Sequence, residues 1–86
     1  MTKKEVYLVY ETDAWLDARS MVLMGIFENL DDAINNIIEE MSMALVFDTP
    51  EQAKETADEL KRYLQTQGFD TNYVIETATL NEWGEI

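Results

Sequence analysis

The chain has 86 residues, with 18 Asp or Glu against 6 Lys or Arg, and a net charge of −12 at pH 7. This length suits a single domain, and an apolar fraction of 47% suits a chain that folds unaided. A strongly negative field repels nucleic-acid phosphates and anionic lipid, so neither direct nucleic-acid binding nor membrane binding is expected. The charge permits a basic partner protein, the alternative being that it serves solubility alone.

Neither histidine nor cysteine occurs in the chain. Their absence removes the commonest general base, the commonest metal ligand and the thiolate nucleophile. We therefore expect no enzymatic activity, no cofactor and no metal site. The apolar run near the N-terminus is too short for a signal peptide, so a cytoplasmic location is expected.

Two segments near the N-terminus are predicted to form adjacent strands. Residues 5–10 (EVYLVY) are apolar at both parities, as in a strand covered on both faces or lying centrally in a sheet. Residues 21–27 (MVLMGIF) are also strand-like, and Gly25 suggests a bulge or a close backbone approach. We expect antiparallel pairing through the connection at residues 11–20, which carries Trp15.

A helix is predicted directly after the second strand. Asn29 occupies the N-cap position, and Asp31 and Asp32 in the first turn suit the positive end of the helix dipole. Apolar residues then recur at spacings of three and four at Leu30, Ala33, Ile34, Ile37, Ile38 and Met41. This spacing predicts an amphipathic helix with one continuous apolar stripe.

Residues 43–47 (MALVF) are short and apolar, and we interpret them as a third strand, the alternative being a buried linker between helices. The same pattern of apolar residue, Phe, acid and cap precedes both predicted helices, as IFEN at residues 26–29 and VFDT at residues 46–49. Because the first copy ends a predicted strand, the second favours a strand at residues 43–47. Residues 49–52 (TPEQ) form a capping box with proline at the first helical position. A second helix is predicted over residues 50–67, ending at Gly68 as the C′ residue.

Residues 72–80 are rich in β-formers and are predicted to form the last strand, with Trp83 in a short tail. The predicted architecture is a single α+β domain over residues 1–86, with the order β-β-α-β-α-β. The sheet is expected to be mostly antiparallel, with both helices packed on one face. The other face would then be open, which makes a homodimer plausible.

Several of these segments resemble small uncharacterised α+β domains of phage and bacterial genomes. The similarity is carried by residues 6–10 (VYLVY), residues 22–27 (VLMGIF), the helix with Ala33, and a late strand near a Trp. It covers roughly residues 5–40 and the last strand, and leaves out residues 43–68. The resemblance implies this fold and a mobile-element setting, and those domains have no assigned activity.

The negative charge is concentrated along the first predicted helix. From Ser20 to Ala53 the chain has seven acidic residues and no Lys or Arg. The polar face of the helix consists of Asp31, Asp32, Asn35, Asn36, Glu39 and Glu40. Glu39 and Glu40 lie at the negative end of the helix, where basic residues are preferred. These six residues and Trp15 are the predicted partner-binding residues, the alternative being an ordinary solvated face.

These features predict a protein-interaction module whose acidic helix docks on a basic protein surface. An inhibitor or adaptor from a phage or prophage fits this description, and nucleic-acid mimicry is its sharper form. The alternative is a structural protein that self-associates into a homo-oligomer through its open sheet face. A carboxylate-based enzyme is the least favoured hypothesis, because it requires two acids with perturbed pKa values in one pocket.

Overall fold

A computed structural model of the chain describes residues 4–80 and contains two α-helices and a three-stranded antiparallel sheet. The elements in chain order are β1 (Lys4–Thr12), β2 (Val22–Phe27), α1 (Leu30–Met43), α2 (Pro50–Tyr63) and β3 (Asn72–Leu80). A 3-10 helix at Ala18–Ser20 lies in the connection between β1 and β2. The predicted α+β class is confirmed, and the tail with Trp83 lies outside the described residues.

β1 is the central strand, and the sheet order is β2-β1-β3 with both pairings antiparallel. A central position suits a strand that is apolar on both faces, as its sequence predicted. Val9 pairs with Gly25 of β2 whereas Tyr10 pairs with Leu23, so Met24 is an extra residue. The predicted irregularity at Gly25 is therefore a β-bulge beside that glycine.

The predicted third strand at residues 43–47 is wrong, and the observed order is β-β-α-α-β. α1 continues to Met43 and then ends in a Schellman motif. The backbone N–H of Val46 donates to the carbonyl of Met41 at 3.1 Å, and that of Leu45 donates to the carbonyl of Ser42 at 3.1 Å. Since these amides are bonded to the helix end, they are not available to a strand ladder.

α2 begins as predicted but ends four residues earlier than the predicted end at residue 67. The amide of Gln52 donates to Thr49 Oγ1 at 3.3 Å, and Gln52 Oε1 accepts from the amide of Asp48 at 2.7 Å. The helix stops at Tyr63 because Leu64, four residues before Gly68, already takes the left-handed conformation, with a φ of 59°.

The chain after α2 adds a short edge to the sheet. The amide of Ile75 donates to the carbonyl of Leu64 at 2.8 Å, and the amide of Thr66 donates to the carbonyl of Tyr73 at 2.9 Å. Gln65 and Val74 consequently form an isolated antiparallel bridge. This pairing requires the chain to leave the helix at Leu64, which explains the early end of α2.

The core lies between the sheet and the helices, which pack on one face as predicted. Its buried residues are Val9, Ala33, Ile34, Ile37, Met41, Leu60, Tyr73 and Ile75. On the opposite face β1 carries Leu8 and Tyr10, which are half-buried, and Val6, which is buried outside this core cluster. Within the same residues, neither helix has the length and apolar composition that a membrane span requires.

The fully buried side chain of Asn72 connects three segments at one end of the sheet. Its Nδ2 donates to the carbonyls of Phe69 at 2.9 Å, Asp13 at 3.3 Å and Ala14 at 3.5 Å. Its Oδ1 accepts from Thr66 Oγ1 at 2.9 Å. The amide group thus holds together the β1–β2 connection, the edge segment after α2 and the loop before β3.

We expect Asn72→Ala to lower the free energy of unfolding by about 2–4 kcal/mol, because it removes several hydrogen bonds and leaves buried partners unsatisfied. The exposed Asn36 provides a matched control, and Asn36→Ala should change stability by less than about 0.5 kcal/mol. Urea unfolding followed by circular dichroism measures both. Equal stability of the two variants would show that the Asn72 network contributes nothing.

Candidate functional site

All six predicted polar residues of α1 are exposed in the structure. Asp31 and Asp32 lie in the first turn, and Glu39 and Glu40 lie in the last turns. At 1.5 Å rise per residue, these two acidic pairs are about 12 Å apart along the helix axis. The acidic face of α1 therefore has two separate ends, and these ends differ in whether their charges have partners within the chain.

The acids of the first turn are compensated within the chain. Asp31 Oδ1 lies 4.0 Å from Nζ of Lys61, which belongs to the last turn of α2. The Asp32 amide donates to the N-cap Asn29 Oδ1 at 2.8 Å, and Asp32 Oδ2 accepts from Asn29 Nδ2 at 2.9 Å. These acids thus start the helix and suit its dipole.

The acids of the last turns lack such compensation. The last turn of α1 contains no basic residue. Among residues 4–80 the ion pairs join Lys4 to Glu28, Arg19 to Asp17 and Lys61 to Asp31, and none of them involves Glu39 or Glu40. The negative end of the helix dipole and these two carboxylates therefore add to one another.

An open groove of about 770 Å³ lies beside this end of α1, between the α1–α2 linker and the loop before β3. We call it the helix-end groove. Its apolar lining consists of Met41, Met43, Ala44, Leu45, Val46, Phe69 and Tyr73. Its carboxylates are Glu11, Glu40 and Asp70. Among the described residues that line it, none is Lys or Arg.

Tyr73 reports the electrostatic character of the groove. The side chain is only 7% exposed, and its burial is the main reason why its pKa is raised above the ordinary value of 10.0. The carboxylates of Glu11 and Glu40 raise the pKa of Tyr73 further. No residue in the described part of the chain hydrogen-bonds its hydroxyl. Burial and the two carboxylates thus act in the same direction, against the tyrosinate form.

Leu45 is the most unusual residue of the groove. It occupies the C′ position of the Schellman motif, where glycine is usual, with a φ of 59°. A left-handed conformation costs a non-glycine residue about 1–2 kcal/mol. Its side chain is nevertheless 85% exposed, and that of neighbouring Met43 is 74% exposed. Packing within the fold does not repay this cost.

Trp15 is also 85% exposed and lies at the same end of the sheet as the groove. The preceding residues Asp13 and Ala14 accept hydrogen bonds from Asn72, whose neighbour Tyr73 lines the groove. Of the predicted residues, the structure therefore gathers Trp15, Glu39 and Glu40 at one end. Asp31 and Asp32 lie at the other end, with Asn35 and Asn36 between the two.

Sequence reasoning missed the contribution of Glu11, Asp70 and the linker residues to this site. Glu11 and Tyr73 are opposite each other in the β1–β3 register, and that pairing spans 62 positions of sequence. The exposed linker was read as a strand. Among residues 4–80, no three acidic side chains converge closely enough to form a metal site.

Comparison with protein-family models, with curated proteins and with solved structures finds no match to this chain.

We expect Leu45→Gly to raise the free energy of unfolding by about 0.5–1 kcal/mol, because glycine adopts the left-handed conformation without the steric cost. The side chain that is lost contributes little packing, since it is exposed. Thermal or urea unfolding provides the measurement.

Leu64→Gly is the matched control, because Leu64 has the same φ of 59° but packs against the core. This variant should be destabilised, since the lost apolar contacts outweigh the relief of strain. Destabilisation of Leu45→Gly to the same extent would mean that Leu45 supports the fold after all.

Proposed function

We propose that this protein is a cytoplasmic, non-enzymatic interaction module that binds a basic protein surface through the acidic face of α1. The observation that carries the proposal is the uncompensated negative charge at the C-terminal end of that helix. Glu39 and Glu40 are exposed, the helix dipole reinforces them, and no described basic side chain pairs with them. Basic side chains from a partner would supply the missing complement.

We infer further that the protein acts as an inhibitor or adaptor from a phage or prophage, a setting that the resemblance of its strand and helix segments to phage and bacterial domains implies. In its sharper form, the carboxylates of α1 occupy the phosphate-binding surface of a protein that handles nucleic acid. The net charge of −12 favours such a partner through long-range attraction. DNA should then compete with this protein for the same partner.

The test is affinity capture from the native host at two ionic strengths. We expect the captured proteins to be basic and retained at about 0.01 M ionic strength, where the Debye length is about 30 Å. Retention should fall at about 0.15 M, where the Debye length is about 8 Å. The double variant Glu39→Gln/Glu40→Gln should capture much less of the same proteins.

The control is Glu55→Gln/Asp58→Asn on α2, whose exposed acids alternate with basic residues. Both double variants remove two negative charges from the total of −12, so they differ only in where the charge is lost. Capture should survive in the α2 variant. Equal loss in both variants, or retention that ignores ionic strength, would contradict binding through α1.

Self-association is a second candidate function, and β2 is the observation that favours it. β2 is an outer strand of the sheet, and it contains neither a charged residue nor a proline. The side chains of Val22, Leu23, Met24 and Ile26 are all exposed. An outer strand of this composition is suited to pairing with the same strand of a second copy.

If β2 mediates self-association, sedimentation equilibrium at micromolar concentrations should detect a dimer. Ile26→Lys should then shift the protein to monomer, because the new charge would be buried in the interface. Thr79→Lys adds the same charge at an exposed position of β3 and should leave the dimer intact. A wild-type protein that is only monomeric under these conditions would exclude this candidate.

A further inference from the structure

The helix-end groove combines apolar surface with carboxylates of one sign. Met43 at the end of α1 and Leu45 and Val46 in the linker expose their side chains. Phe69 lines the groove from the loop before β3. Glu11 belongs to β1, Glu40 belongs to α1, and Asp70 belongs to the loop before β3. A ligand that fills this groove must therefore satisfy both an apolar surface and separate negative charges.

The chemistry of the groove excludes several occupants. Nucleic acids and anionic lipids have the wrong sign of charge. A second copy of this chain carries a net charge of −12 itself and would be repelled by the same carboxylates. Among the described residues no three acids converge on a single point, so one metal ion does not match the carboxylates. A small polyamine would leave the exposed leucine and methionine in water.

We propose that the helix-end groove binds a cationic amphipathic segment of a partner protein, with its apolar side chains on Leu45 and Met43 and its basic side chains beside Glu11, Glu40 and Asp70. This inference rests on the proposed function and names the site and the chemistry of the partner. A basic side chain here also meets the negative end of the α1 dipole. Tyr73, beside Glu11 and Glu40, lines the same groove.

Leu45 supports this assignment independently of charge. The left-handed backbone at Leu45 ends α1, where glycine would fit without strain, but the exposed leucine side chain adds no packing to the fold. In a complex the same side chain would be buried against an apolar group of the partner. The Schellman motif imposes the strained backbone at Leu45, and the same hydrogen bonds fix the position in which the Leu45 side chain is presented to a partner.

The experiment uses synthetic peptides as probes and isothermal titration calorimetry on the full chain. An amphipathic Arg–Leu peptide is the ligand, because arginine stays charged at all relevant pH values. A second peptide has each Leu replaced by Ser, and a third has each Arg replaced by Glu. We expect the Arg–Leu peptide to bind, the Arg–Ser peptide to bind more weakly, and the Glu–Leu peptide not to bind.

Protein variants then locate the site. Glu11→Gln/Asp70→Asn should weaken binding of the Arg–Leu peptide about tenfold, equivalent to about 1.4 kcal/mol. Leu45→Gly should weaken it about fivefold while the protein stays folded, through the loss of apolar contact. Glu55→Gln/Asp58→Asn removes the same number of charges from α2 and should leave the affinity nearly unchanged.

The titration of Tyr73 gives a second readout. A bound arginine beside Glu11 and Glu40 should lower the pKa of Tyr73, since a positive charge favours the tyrosinate. Tyrosinate absorbance, with Tyr73→Phe as the reference, measures this shift. Circular dichroism at the same pH values establishes that the chain remains folded.

Equal weakening by the groove and α2 double variants, or full affinity in Leu45→Gly together with an unmoved Tyr73 pKa, would overturn the inference. The proposed function fails separately, when host proteins are captured equally well by wild type and by Glu39→Gln/Glu40→Gln. A third outcome separates the two proposals. If Glu39→Gln/Glu40→Gln loses capture of host proteins but the groove variants bind the Arg–Leu peptide as wild type does, α1 remains the proposed binding surface and the groove is rejected as the peptide site.

Discussion

The buried amide of Asn72 is the constraint on which the end of the molecule that contains the helix-end groove depends. One side chain bonds to the β1–β2 connection, to Thr66 and to the loop at Phe69. A small domain has few ways to fix loops, since its core is limited. Here a fully satisfied polar group joins three of them at one point. Trp15, Phe69 and Tyr73 take their positions from segments that this amide connects.

The elements that the sequence predicted correctly are those whose signals are local. The N-caps Asn29 and Thr49, the stripe of α1, and the bulge beside Gly25 each depend on residues a few positions apart. Residues 43–47 were assigned wrongly because an apolar run before a capped helix has the same composition in a strand and in an exposed linker. The segment forms a linker because α1 ends in a Schellman motif. The sequence does not indicate this motif, since its C′ residue is Leu45 rather than the usual glycine.

The end of α2 was predicted wrongly because the local signal for a helix end, Gly68, did not determine where the helix stops. Gly68 does adopt a positive φ of 84°, as a C′ glycine would, but it lies in the loop beyond the helix. Leu64 takes the left-handed turn so that Leu64 and Thr66 can bond to β3. Pairing with β3 therefore outweighed the local preference. The same long-range pairing places Glu11 opposite Tyr73, which no spacing in the sequence indicated.

The fold explains the acidic residues at the start of α1 but not those at its end. Asp31 and Asp32 suit the helix start and have partners within the chain, so they require no external ligand. At the other end Glu40 lies beside a strained and exposed Leu45, and folding alone favours neither arrangement. Two unfavourable features of different physical origin, one electrostatic and one conformational, meet in a single groove. A basic amphipathic partner would neutralise the uncompensated charge at Glu40 and bury the exposed side chain of Leu45. For this reason the groove, rather than the whole of α1, is the sharper hypothesis for the binding site.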